Sequence, residues 1–192
     1  MTRDVGTREA PRAGSLVGDA FDDPLQAVAV FYEEAASGLA GTTRAQGAAA
    51  FFRSMLRLLE TADWTEWHPD RAHYRKFSRA AAELAAAAVA FGVHTGAFDD
   101  GAATVERLRS EEQRLDDGWQ KELRPRREWT QLVRAEAVAV ADALAGSADP
   151  DPGPELGEML ERIVLLCLDM MVWLESRGAN PRRGGAEARP ST

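Results

Sequence analysis

Ile163-Val164-Leu165-Leu166-Cys167-Leu168-Asp169-Met170-Met171-Val172-Trp173-Leu174 is the stretch whose reading decides the fold. Eleven of its twelve residues are apolar and the exception is an aspartate. A helix that is apolar around its whole circumference has to be wrapped by other helices or by a partner. The run is no membrane span. A span needs about 20 mostly apolar residues, whereas Glu158, Glu161 and Arg162 stand just upstream and Asp169 interrupts it. The stretch therefore predicts an all-α fold. Its expected form is a single up-and-down bundle of five or six helices over residues 21–177, with the very apolar C-terminal helix as its central post.

Working outward, every other periodic segment is also helical, with apolar residues recurring at spacings of three and four. Asp23-Pro24-Leu25-Gln26 carries an aspartate cap and a proline at the first helical position. It opens a helix with Leu25, Val28, Tyr32, Ala35 and Leu39 on one face, ended by Gly41. Thr43-Arg44-Ala45-Gln46 is a capping box that opens a second helix, expected to run to about Thr61 with Phe51, Phe52, Met55, Leu58 and Leu59 inward. A tryptophan-rich connection, Asp63 to Pro69, follows. The third helix is expected from near Pro69 to about Phe91, on a stripe of Tyr74, Phe77, Ala81, Leu84, Ala88 and Phe91. Its alanines between Ala80 and Ala87 permit close approach of neighbouring backbones. Asp99 or Asp100 caps a fourth helix that Pro125 should break or kink. A fifth is expected from Arg126 to Leu144 with Trp129, Leu132, Val133, Ala137, Val140 and Leu144 inward. The proline-rich stretch from Gly146 to Pro154 is a linker, and the sixth helix occupies roughly Glu155 to Arg177. Residues 1–20 and 178–192 have no periodicity and read as disordered tails.

Composition bounds what the chain does. With 192 residues and 45% hydrophobic content it can bury one good core. A formal net charge of -8 opposes general attraction to nucleic acid or to anionic lipid. Cys167 is the single cysteine, which excludes an internal disulfide and any multi-cysteine metal site. The first residues lack the apolar core of a signal peptide, so a cytoplasmic location is expected.

Several residues carry candidate chemistry. Asp169 lies in the apolar stretch, where an ionised carboxylate is costly unless paired. It reads as a tuned acid in a bundle cavity, as half of an ion pair with an arginine of a neighbouring helix, or as the mark of a less buried edge of the segment. His68, Asp70 and His73 lie close together, and Asp70 and His73 share a helix face. Di-iron bundles carry paired Glu-x-x-His motifs with further glutamates, and here there is one imperfect copy. His94 would sit roughly 39 Å from His68 along one straight helix, so no metal is expected. Trp64, Trp67 and His68 beside Pro69 form an aromatic corner, read as a platform for a ligand or partner or as a plug that seals one end of the bundle. Arg71, Arg75 and Arg79, four apart and beside Lys76, form a basic ridge. It could meet a phosphate-rich partner, or the acids Glu106, Glu111, Glu112, Asp116 and Asp117 of the fourth helix. Lys121 to Arg127 makes a second basic run. Asp99-Asp100 and Asp116-Asp117 lack the third acid of the diaspartate metal motif. Cys167, in the most apolar segment, is expected to be an inert thiol.

In texture, an arginine- and alanine-rich helical chain with frayed ends resembles the small accessory proteins of bacterial conflict systems, those associated with caspase-like and TPR proteins. That resemblance implies an accessory role and assigns no site residue. The functional expectation is a noncatalytic interaction protein whose partner is another protein or a second copy of itself. No cofactor and no membrane contact are expected, and nucleic acid is disfavoured. The alternative is a small-molecule-binding or enzymatic bundle with a cavity near Asp169 and the Trp64–His73 corner.

Overall fold

The structure, a computed structural model, describes residues 24–68, 70–108, 110, 126–146 and 153–174. Within them lie α1 (Pro24–Leu39), α2 (Arg44–Trp67), α3 (Arg71–Thr95), α4 (residues 101–108), α5 (Arg126–Gly146) and α6 (Gly153–Leu174). The chain is all-helical, and no strand occurs among the described residues. The expected tails, the Asp23 cap, the later part of the fourth helix, the Pro125 break and most of the linker lie outside the described residues.

Local chemistry sets the helix ends. The Thr43 hydroxyl accepts from Gln46 N–H at 3.3 Å, and the Gln46 side chain accepts from Thr43 N–H at 2.8 Å, the reciprocal box read in the sequence. Asp70 caps α3 by accepting from His73 N–H at 3.0 Å. Asp100, and not Asp99, caps α4, taking Ala103 N–H at 3.0 Å. Gly96 ends α3 in the left-handed conformation at φ 77°, which a residue without Cβ adopts at little cost.

Two boundaries differ from expectation. Helix α2 continues through the tryptophans to Trp67, because nothing in 62–67 breaks a helix before Pro69. Helix α3 passes through Gly92 and stops at Thr95. Gly92 serves packing instead of termination: a Cβ there would lie 2.2 Å from the Phe98 ring.

The centre of the bundle is α3, not α6. Helix α3 packs extensively against α1, α2 and α6, and α6 also leans on α5. Phe77, Leu84 and Phe91 are fully buried. So are Ala81, Ala82, Ala85, Ala86 and Ala88, which point in several directions around the axis. Alanine decides this placement, since a narrow helix lets neighbouring helices approach from several sides. Around it, Phe51 of α2 stacks on Phe91 at 5.6 Å. Trp129 of α5 meets Phe77 edge-on at 5.5 Å and donates its Nε1–H to the Leu166 carbonyl of α6 at 2.7 Å.

Helix α6 buries Leu156, Leu160, Ile163, Val164, Cys167, Leu168, Met171 and Leu174. Leu165, Leu166, Asp169, Val172 and Trp173 are only half-buried and lie along one side. The apolar stretch thus has a less buried edge, and Asp169 stands on it, engaged with its surroundings.

Contacts fix the directions of the helices. Gly47 of α2 faces His94 of α3, while Thr65 reaches the His73 carbonyl, so α2 and α3 form an antiparallel hairpin. Gly157 of α6 approaches the Ala97 carbonyl just past the end of α3, and Glu136 of α5 receives Arg162 of α6 at 2.9 Å. Arg107 of α4 pairs with Glu161 of α6. Of the helix-four acids read as possible partners of the α3 ridge, Glu111, Glu112, Asp116 and Asp117 lie outside the described residues.

Candidate functional site

The α2–α3 hairpin turns at residues 68–70, and residues at similar distances on either side of that turn come to face each other. Thr65 lies opposite His73, and Arg57 opposite Glu83. The Thr65 hydroxyl, fully buried, donates to the Thr61 carbonyl at 2.6 Å and lies 3.5 Å from the His73 carbonyl. Above it three rings cluster. Trp64 stacks on His68 with centroids 4.3 Å apart, and His68 on His73 at 5.3 Å. His68 Nδ1 lies 3.3 Å from the Trp64 carbonyl oxygen, a contact that requires the proton on Nδ1.

Asp70 holds the base of this cluster. It accepts the backbone N–H of His73, and its Oδ1 stands 2.7 Å from His73 Nδ1. The ring approach is off the N–H axis, so it is an electrostatic contact more than a hydrogen bond. The backbone N–H of His73, followed by the His73 side chain, holds the Asp70 carboxyl below its ordinary value.

Beyond the rings the hairpin opens into a surface groove of about 530 Å³, bordered by Arg57, Glu60, Trp64, His73, Lys76 and Glu83 among others. Glu83 is gripped from both helices: Arg57 Nη1 donates to one oxygen at 2.8 Å and Arg79 Nε to the other at 2.8 Å. Arg79 also lies over the Phe31 ring of α1 at 5.5 Å. Such exposed pairs add little stability, but they fix the groove wall. The remaining exposed side of α3 carries Arg71, Arg75 and Lys76.

The exposure of the tryptophans is the feature that sequence did not settle. Trp67 is 82% exposed and Trp64 56% exposed, whereas Trp129 is 2% exposed. A sealing plug would bury its indoles; this corner presents them. Leu56, about three turns before Trp67 on the same side of α2, is 59% exposed.

Of the residues singled out from sequence, Trp64, Trp67, His68 and His73 come together at one corner, with the ridge of Arg71, Arg75 and Arg79 beside it. Asp169 does not line the groove among the described residues. Among those residues no group of three or more histidines, cysteines, aspartates or glutamates is placed to hold a metal ion. No described helix is long and apolar enough to cross a membrane. The second basic run and the Asp116-Asp117 pair fall outside the described side chains. Cys167 is completely buried, and that burial pushes its thiol well above the ordinary range. Arg57, Glu60, Thr65 and Glu83 were not foreseen as site residues. The mirror relation about the hairpin turn is the signal that would have found them.

A second groove of about 490 Å³ lies between the start of α2 and the end of α5, lined by Ala45, Ala48, Phe52, Ala141 and Leu144 with Arg44 at its edge. Compared with protein-family models, with curated proteins and with solved structures, the chain finds no match in any of the three.

Proposed function

We propose that the protein is a noncatalytic helical interaction module, and that the corner of Trp64 and Trp67 with the adjoining α2–α3 groove is its protein-docking face. One observation carries the reading: an 82% exposed tryptophan one step from a 56% exposed one, on an ordered helix. Exposed apolar side chains are common singly, but clustered tryptophans supply large contact area at low entropic cost and dominate binding energy where they occur. The rings are also preorganised. Trp64 is held against His68, and the hairpin is fastened by Arg57, Glu83 and Arg79, so little ordering is left for the binding step.

The alternative, a ligand cavity shared by Asp169 and the same corner, has less support. The groove is formed by α2 and α3, opens to solvent, and takes no lining from Asp169 among the described residues.

The test is site-specific photocrosslinking in the native host, with a benzophenone amino acid at position 60, exposed on the groove rim beside the indoles, and, as a control, at the exposed position 135 on α5. A discrete protein adduct at 60 that is missing at 135 supports the reading. No adduct at 60, or the same smear at both positions, refutes it.

A further inference from the structure

We draw no further inference here: the strongest candidate, the basic ridge of Arg71, Lys76 and Arg79 beside the tryptophan corner at the α2–α3 turn, belongs to the docking face already described, and with the exposed acids Asp63 and Glu66 next to Trp67 it has no charge preference that shows what covers it.

Discussion

Replacing Trp67 by alanine separates a docking residue from a structural one. At 82% exposure, roughly 40 Å² of an indole of ~200–250 Å² is covered in the folded chain. At about 25 cal/mol per Å² that burial contributes about 1 kcal/mol at most, and alanine returns a few tenths through its better helix propensity. The expected loss of stability is therefore below about 1 kcal/mol. The uncovered ~200 Å² sets a ceiling of about 5 kcal/mol on what a partner could gain there. Truncation of a hot-spot tryptophan typically costs binding about 2–4 kcal/mol, an affinity loss of about 30-fold or more. Trp129→Ala is the internal contrast. That side chain is 2% exposed and holds the Leu166 carbonyl at 2.7 Å, so its loss should cost about 3–5 kcal/mol. Urea unfolding followed by circular dichroism at 222 nm measures both variants without relying on tryptophan emission. If Trp67→Ala lowers stability by more than about 2 kcal/mol, the indole seals the bundle end and the docking assignment fails.

Gly92→Ala should destabilise by about 1–2 kcal/mol. The gain in helix propensity of about 1 kcal/mol is outweighed by the displacement of the buried Phe98 ring, 2.2 Å from the new Cβ. Adding Phe98→Val should recover part of the loss, and no recovery in thermal melts would refute the packing account. Asp70 predicts an acid-side effect. Its folded carboxyl is held below the ordinary value of 3.8, so its contribution is fully present above that value and is lost as pH falls through the lower folded value. The difference in urea midpoint between the parent and Asp70→Ala should hold steady above the usual carboxylate range and shrink below it. A gap that widens on acidification would sink the assignment. Cys167 should resist a disulfide-exchange reagent in native buffer and react fully in denaturant, because burial keeps its thiol protonated and out of reach. Rapid labelling of the folded protein would contradict that burial.

Much of the fold was legible because helix formation is local. The Thr43–Gln46 box, the Asp100 cap and the three/four spacing of apolar residues involve partners within one turn, and those elements stand where the sequence placed them. The apolar stretch 163–174 identified a bundle for the same reason, since a helix so rich in apolar residues needs neighbours. The errors came where a residue type has two meanings. The third helix read as ending near Phe91, yet it continues through Gly92, which makes room for Phe98. The tryptophans of 63–67 read as a connection, although no residue there interrupts the helix.

What tertiary structure alone decided is which surface ends up covered. Hydrophobicity counts apolar atoms, and by that count the C-terminal helix belonged at the centre. Centrality depends on how many neighbours approach an axis, and α3, with its short alanine side chains, admits more of them. The same limit governs the tryptophans. Trp67 and Trp129 are chemically identical in sequence, but α6 offers Trp129 a carbonyl and a packed wall, and the open hairpin end leaves Trp67 to solvent. Residues far apart in the chain, such as Arg57 and Glu83, meet because the hairpin folds back on itself. Sequence determined the helices and their caps, through contacts spanning three or four residues; only their packing decided which faces remain for a partner.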